Sequence, residues 1–489
     1  MAAVLSEDHI ERVVIQEFID LGYEYLNGVT ISPDGQFQER TYNEVVLKQR
    51  LQNAIATLNP TVPYEGQEDA LRKVMRSDSP NLFQNNYQFH KYLTEGIDVE
   101  YRIGDRIAGD KVWLINYKEP EKNEFLVINQ LTIIEGNVNK RPDIILYVNG
   151  LPLVVIELKN AVDENATIQS AFNQLQTYKQ TIPSLFQYNC LLIASDGWEA
   201  LYGSLTAPKQ FFVPWKSING MELADVDMPE MEVMAKGMLN KKVFPDLIRH
   251  FIVFHQNKDQ LTKIVPRYHQ YFAVNKALET TKKATAENGD QRAGVIWHTQ
   301  GSGKSLSMVF YAGKLVLALN NPTLVVLTDR NDLDDQLFDT FSSSQDLLRQ
   351  TPVQAANRDN LKELLSVTSG GIVFTTIQKF LPEIIEKIDL GEGKTKNIKG
   401  QFEQLSDRRN IVVIADEAHR SQYDFMDGFA KHMRDALPNA SFIGFTGTPI
   451  ENTDKNTQAV FGDYIDVYDI QQAVEDGATV RIYYEITMI

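Results

Sequence analysis

Hydrophobic and polar positions divide this chain into two parts with different rhythms. From about residue 260 onward, short apolar runs at 293–297, 323–328, 371–375, 411–415 and 441–445 alternate with stretches of helical spacing. Strands alternating with helices imply right-handed parallel crossovers, and hence a doubly wound parallel sheet. In such sheets the loops that do chemistry sit at the carboxyl ends of strands. The first part is less regular. Residues 6–21 predict an amphipathic helix in which Ile10, Val14 and Leu21 share a face, with Val13 and Phe18 flanking. Ser6 caps it, Glu7 and Asp8 suit its positive end, and Gly22 ends it. Glu17 falls inside the apolar stripe, an unusual place for a carboxylate. The Val, Ile and Leu of 125–134 and 144–156 predict strands, and 164–181 predicts a helix. Cys190–Ala194 predicts a further strand before the Ser195-Asp196-Gly197 turn, so this part is mixed α/β. The Met-rich, charged stretch 219–245, with Pro229 and Pro245 around a short helical pattern, reads as a connector. Segment 389–401, with Gly391, Gly393 and Gly400 among lysines, reads as a mobile loop, and no internal repeat is visible.

At 489 residues the chain is too long for one core, and two to four domains are expected. With 43% hydrophobic and 23% charged residues it has the composition of an ordinary soluble globular protein. Its one cysteine, Cys190, excludes an intrachain disulfide and fits a reducing compartment. Neither a secretory signal nor an apolar run of membrane-spanning length is visible, which points to the cytoplasm and away from a membrane. The formal net charge is −17. Affinity for polyanions comes from clustered Lys and Arg, so weak DNA binding by this chain alone is expected, with partners contributing.

Candidate chemistry falls at strand ends. After Val295-Ile296-Trp297 comes His298-Thr299-Gln300-Gly301-Ser302-Gly303-Lys304-Ser305. Gly301 and Gly303 allow close backbone approach to a triphosphate, with Ser302 between them, and a helix N-terminus supplies inward N–H groups. Lys304 places a cation on the β/γ-phosphates of ATP and Ser305 a hydroxyl on Mg²⁺. His298 occupies the first position of this loop, where the usual pattern has glycine. The run Ile411–Ala415 then delivers Asp416 and Glu417 to the sheet edge. Asp416 is placed to hold Mg²⁺ through water and Glu417 to orient and deprotonate an attacking water. Phe445-Thr446-Gly447-Thr448-Pro449 follows a third strand with small hydroxyl residues suited to coupling sites.

A second constellation lies upstream. Arg141-Pro142-Asp143 precedes a strand, Asn149-Gly150 is a strong hairpin turn, and the returning strand leads into Glu157-Leu158-Lys159. Glu157 and Lys159 are two apart and share a face. Folding back at the turn brings Asp143 beside Glu157, and two carboxylates plus a lysine suit Mg²⁺-assisted attack on a phosphodiester. Register tests this. An ideal two-residue turn pairs Val148 with Leu151, sets Asp143 opposite Ile156, and turns Glu157 to the other face. A shared site needs an irregular hairpin, which is expected near Pro152 because proline lacks a donor. Ordinary surface charge is the other reading of a bare P-D…E-x-K. Gln174 and Tyr178, four apart on one helical face, add support beside this site. Of the first helix's carboxylates, Glu17 rather than Glu11 is expected to support it, from its position in the stripe. Between Lys159 and Cys190 the only Lys or Arg is Lys179, so anchoring of a nucleic-acid strand is expected from elsewhere.

In order and spacing the three downstream elements resemble the first RecA-like lobe of superfamily 2 helicases and translocases, whose D-E-A-H motif Asp416–His419 spells. Leu327–Arg330 and Phe374–Gln378 are further matches, and the resemblance implies that Arg330, Thr376 and Gln378 touch the nucleic-acid backbone. Gln270 resembles an adenine-reading glutamine. Gln174 and Tyr178 resemble the helix motif beside the catalytic centre of RecB-like members of the PD-(D/E)xK nuclease superfamily. Together, Arg141–Asp143, Glu157–Asn160, His298–Ser305, Asp416–Gln422 and Phe445–Pro449 resemble the R (motor and endonuclease) subunit of type I restriction-modification enzymes. The resemblance implies an α/β chain with a PD-(D/E)xK endonuclease domain over 1–220, a connector over 221–259, the first RecA-like lobe over 260–470 and the start of a link to a second lobe over 471–489. It further implies ATP and Mg²⁺ as cofactors, and double-stranded DNA, methyltransferase and specificity subunits as partners. Such an enzyme cuts unmodified duplex DNA away from its recognition site. The second lobe of family members carries arginine fingers, so nucleotide binding with little or no turnover is expected of this chain alone. Two other readings remain from the sequence. One is a stand-alone superfamily 2 helicase–nuclease of DNA repair. The other is a nucleotide-gated, non-enzymatic assembly module.

Overall fold

A computed structural model describes residues 7–159, 167–257, 260–328, 331–380, 384–389, 395–399, 404–418, 429–448 and 460–479. The chain divides into two compact units, Met1–Tyr268 and His269–Ile489.

In the first unit, α1 (Glu7–Asp20) buries Ile10, Glu11, Val14, Ile15 and Phe18 at helical spacing. Phe18 is fully buried, which stabilises by roughly 1.5–3 kcal/mol. The central sheet runs β1 (Glu24–Asn27), β2 (Phe125–Asn129), β3 (Ile144–Val148), β4 (Leu151–Leu158), β5 (Leu191–Ser195) and β6 (Ala200–Gly203), in that spatial order. β1 pairs with β2 and β4 with β5 in parallel, and the other neighbours are antiparallel. Every residue of β3 and β4 is buried, because this centre is covered on both faces. That is why these strands read as continuous apolar runs rather than alternating ones. α2 (Ile168–Thr181) packs on β4 and β5 and starts with a reciprocal cap between Thr167 and Ser170.

Two expectations for this part differ from the structure, and parts of two others fall outside the described residues. The strand expected over 125–134 breaks at Gln130, whose φ of 53° is left-handed, and Ile133–Glu135 pairs instead with Val138–Lys140. Residues 164–166 of the expected helix, and Ser6, lie outside the described residues. The stretch expected as a connector belongs to the first unit: it forms α3 (Glu230–Gly237) and α4 (Val243–His250) and buries Met231, Met234, Met238, Phe244, Leu247 and Ile248. The Tyr23 hydroxyl donates to the Leu239 carbonyl at 2.6 Å, which ties this segment to the end of α1. Methionines here fill core gaps, a use their flexible side chains suit, and charge between them disguised that role.

From His269 on, α5 (Tyr268–Thr285) belongs to the second unit. Its strands are β7 (Arg292–His298), followed by α6 (Lys304–Ala318), then β8 (Thr323–Thr328), β9 (Pro352–Gln354), β10 (Ile372–Thr376), β11 (Ile411–Ala415), β12 (Ser441–Thr446) and β13 (Tyr464–Tyr468). They form one sheet in the order β9-β10-β8-β11-β12-β7-β13, and every pair is parallel. The strands expected from the apolar runs are present, and the two edge strands join them. Part of the segment expected as a mobile loop is strand: Ile384–Asp389 pairs antiparallel with Thr395–Lys399, while residues 390–394 and 400–401 lie outside the described residues. No helix among the described residues is long and apolar enough to cross a membrane.

Candidate active sites

The hairpin between β3 and β4 decides the first site. Asn149 and Gly150 take φ of 52° and 79°, the left-handed pair of a tight two-residue turn. Val148 accordingly faces Leu151 and Tyr147 faces Pro152. The next pairs are Leu146 with Val154 and Ile144 with Ile156, so Leu153 is left over as a bulge. This one extra residue shifts the register, and the next step sets Asp143 opposite Glu157. Opposed residues share a sheet face, so both carboxylates point the same way. The irregularity expected near Pro152 is therefore present.

Hydrogen bonds fix the group. The Leu158 backbone N–H donates to Asp143 Oδ2 at 2.8 Å. Lys159 Nζ donates to Glu157 Oε1 at 2.8 Å, to the Leu158 carbonyl at 2.9 Å and to Glu7 Oε1 at 3.2 Å. Glu157 is 2% exposed, and its Oε2 is buried without a hydrogen-bond partner. Burial, then the Asp143 charge, pushes the Glu157 carboxyl well above its usual range, against the pull of Lys159. Burial likewise raises Asp143, opposed by the Leu158 N–H and Lys159 and reinforced by Glu7 and Glu11. Burial penalises the Lys159 ammonium, yet Glu157, Asp143 and Glu7 outweigh it and hold its pKa above the ordinary value.

Tyr178 is buried on α2 with its hydroxyl 3.4 Å from the Arg141 carbonyl. Its pKa is raised by burial and then by Glu157 and Asp143, while Gln174, one turn earlier, pulls the other way. Tyr178 therefore lies within the field of the carboxylate pair, with Gln174 acting on Tyr178. Glu17 does not. Its Oε2 is 3.6 Å from Lys236 Nζ of α3, on another face of α1. The helix carboxylates that act on Asp143 are Glu7 and Glu11, four apart and so on one face. Glu11 is 8% exposed and accepts 2.5 Å hydrogen bonds from Asn129 Nδ2 and Gln130 Nε2. That i, i+4 acidic pair was the available signal for this role.

Among the described residues no group of three or more His, Cys, Asp or Glu side chains is arranged to hold a metal ion. Mg²⁺ needs fewer, since it keeps several waters and takes one or two carboxylates. The pair fits such a cation: two carboxylates that burial and mutual repulsion disfavour as anions, one with an unsatisfied oxygen.

The second site lies where β7, β11 and β12 end. Gly301 and Gly303 take φ of 87° and 85°, and Gly303 caps α6, so the loop turns directly into a helix N-terminus. Lys304 and Ser305 begin that helix, and both are half-buried. Ser302 is buried with its hydroxyl unpaired. The Gln270 amide donates to the Gly303 carbonyl at 3.0 Å, placing it against the loop. The Asp416 N–H donates to the Leu327 carbonyl at 2.9 Å and the Ala418 N–H to the Phe445 carbonyl at 3.0 Å, so both neighbouring strands hold the acidic pair. Glu417 takes a left-handed φ of 47°. A Cβ on Gly447 would lie 2.8 Å from Lys304 Nζ, which sets the third motif against the loop lysine. Of the expected nucleic-acid contacts, Gln378 is exposed and Thr376 is buried at the end of β10. Arg330 lies outside the described residues, as do His419 and Pro449.

Residues 4–211 match the family model described as the type I restriction enzyme R protein N terminus. Residues 269–489 match that of the SWI2/SNF2 ATPase. The chain is 46% identical, over 99% of its own length and 46% of the relative's, to the type I restriction enzyme HindI endonuclease subunit of Haemophilus influenzae. It is 36% identical, over 100% of itself and 47% of the relative, to the MjaIXP endonuclease subunit of Methanocaldococcus jannaschii, whose name gives the same assignment provisionally. The chain thus spans about half the length of the curated relatives it matches. A fragment structure from Vibrio vulnificus YJ016, named provisionally as an HsdR subunit of a type I restriction enzyme, is 19% identical with a TM-score of 0.28. It covers 72% of this chain and 56% of that one.

Proposed function

Because the chain belongs to the family of type I restriction enzyme endonuclease subunits, we propose that it carries the nuclease and the first motor lobe of an ATP-dependent subunit that pumps duplex DNA and cuts it. On this reading the first unit is a PD-(D/E)xK endonuclease and the second a RecA-like lobe. Cleavage falls on unmodified DNA away from the recognition site, and methyltransferase and specificity subunits supply recognition and much of the DNA anchoring that a chain of net charge −17 lacks. The relatives' names favour restriction over stand-alone repair and over a non-enzymatic module.

The observation that carries the nuclease reading is the Leu153 bulge, which sets Asp143 opposite Glu157 with Lys159 beside them. Asp143, Glu157 and Lys159 are the catalytic set, and Asp143 and Glu157 would hold Mg²⁺. When bound, that ion supplies charge neutralisation and a more acidic water. Lys159, with its pKa held up by its carboxylate neighbours, stays an ammonium at neutral pH. It therefore stabilises charge developing on the phosphorus oxygens rather than removing a proton. Asp143, tied to the Leu158 N–H, keeps a fixed orientation. Glu11 orients Asn129 and Gln130 and adds negative field at Asp143. Tyr178, with Gln174 acting on it, lies in the field of the same carboxylates and supports the site.

In the motor lobe, Gly301, Ser302 and Gly303 cradle phosphates, Lys304 binds their negative charge, and Ser305 and Asp416 would hold a second Mg²⁺. Glu417 aligns the attacking water, Gln270 reads the base, and the family resemblance assigns contact with the DNA backbone to Arg330, Thr376 and Gln378.

The test is restriction of unmodified phage by the whole enzyme, with methyltransferase and specificity subunits present. Asp143→Asn, Glu157→Gln and Lys159→Ala should each abolish restriction while ATP binding to the purified variants persists. Restriction at parental levels in the first two variants would end the nuclease reading.

A further inference from the structure

The phosphate loop begins with a histidine where generic loops have glycine, and the structure shows what that side chain holds. His298 is fully buried, and its Nε2 lies 2.9 Å from Asp466 Oδ1 on the edge strand β13. Lys276 of α5 donates to the other oxygen, Asp466 Oδ2, at 2.7 Å. Ile296 pairs with Asp466 and His298 with Tyr468, so His298 and Asp466 are diagonal neighbours on one face of the sheet. Further contacts bind the same loop to the same strand. The Thr299 N–H donates to the Tyr468 carbonyl at 2.9 Å. The His269 ring stacks on Tyr468 at 3.8 Å between centroids, and its Nε2 lies 3.1 Å from the Ser302 carbonyl. A Cβ on Gly301 would stand 3.6 Å from the Ala478 carbonyl, so the chain after β13 also runs beside the loop. Burial alone would raise the Asp466 carboxyl, but His298 and Lys276 outweigh burial and hold it below its usual value.

We infer that Asp466 is a positioning residue of the nucleotide site, acting through His298. The first loop residue is a histidine because this loop is held open from outside, by the edge strand. A glycine there would leave residues 299–303 free to collapse in the absence of nucleotide, and ordering them would then cost binding free energy. With the anchor in place the loop amides stay aimed inward before ATP arrives. The inference rests on the reading of the second unit as a nucleotide site, and adds to it a residue far from the phosphate-loop sequence.

The experiment is titration of the full chain with MgATP by calorimetry, together with hydrogen exchange of the 299–303 amides and a thermal melt. Asp466→Ala and His298→Gly should each weaken ATP binding by about tenfold or more, the scale of one charge-assisted hydrogen bond, and speed exchange in the loop. Asp466→Asn keeps an acceptor for Nε2–H and should recover most of the affinity, a rescue that general destabilisation would not produce. The double variant, Asp466→Ala with His298→Gly, should bind no worse than the weaker single one. If Asp466→Ala does not fold, His298→Gly and Asp466→Asn carry the test. ATP binding by His298→Gly at parental affinity, or losses that multiply in the double variant, would overturn the inference. Lys304→Ala separates the two levels. If it binds ATP like the parent, the nucleotide site itself is misassigned and the inference falls with it. If it alone loses binding, only the positioning role fails.

Discussion

Asp143 and Leu158 are joined by a 2.8 Å hydrogen bond from the Leu158 backbone N–H to Asp143 Oδ2, across a hairpin whose register the Leu153 bulge has shifted by one. Leu158 sits between Glu157 and Lys159, so this bond locks the aspartate to the segment that carries both other members of the group. Regular pairing would have set Ile156 opposite Asp143 and separated the two carboxylates by the thickness of the sheet.

That geometry predicts the effect of deleting Leu153. Without the extra residue, the two-residue register extends along the hairpin and Glu157 turns to the opposite face. Mn²⁺ binding to the first unit, read by electron paramagnetic resonance, should weaken by at least tenfold, about 1.4 kcal/mol. Undiminished Mn²⁺ affinity in a folded deletion variant would contradict the shared site.

Stability should depend on pH through the buried pair. Glu157 and Asp143 have folded-state pKa values above their unfolded ones, so the native chain binds more protons than the unfolded chain between those values. Their contribution is full below the unfolded carboxyl range and is lost as pH rises through the folded values. Urea unfolding of the metal-free chain should therefore show stability falling from about pH 5 upward. Glu157→Gln should flatten that slope, and Mg²⁺ should offset it by binding the anionic pair. An unchanged slope in Glu157→Gln would show that the carboxyl is not the group responsible.

Glu11 and Glu17 should behave differently. Glu11→Ala leaves the Asn129 and Gln130 amides without their acceptor in a mostly buried place, at a cost of about 1–3 kcal/mol, and restriction should fall. Glu17→Ala loses only a partly exposed pairing with Lys236, worth about 0–1 kcal/mol, and should restrict normally. Thermal melts and phage plating on the two variants separate these outcomes. Equal loss in both would mean that α1 contributes stability alone.

Gly447→Ala tests whether the third motif meets the phosphate loop. The new Cβ would stand 2.8 Å from Lys304 Nζ, so the amine must move. ATP affinity should drop by about tenfold, about 1.4 kcal/mol, with the melting temperature within a degree or two of the parent's. Full ATP affinity would show that Lys304 reaches the phosphates from another position.

Local chemistry made much of this molecule legible in the amino-acid order alone. Asn149-Gly150 announces its turn because both residues tolerate left-handed backbone, and Gly303 before Lys304 announces a helix start that can face an anion. The β8, β10, β11 and β12 strands are readable because an apolar run buried on both faces has few other solutions. Contacts between distant segments were decided only on folding. Which α1 carboxylate meets Asp143 depends on how the helix is rotated over the sheet, and six residues of separation put Glu11 and Glu17 on different faces. The methionines of α3 look like a linker until Tyr23 and the core close over them. Asp466 lies 168 residues from His298, and no local pattern could disclose that the strand at the sheet's edge holds the loop that follows its neighbour. Turn and strand preferences act over a few residues. Register, helix rotation and edge pairing are settled by burial of the whole core, which is why they waited for the tertiary structure.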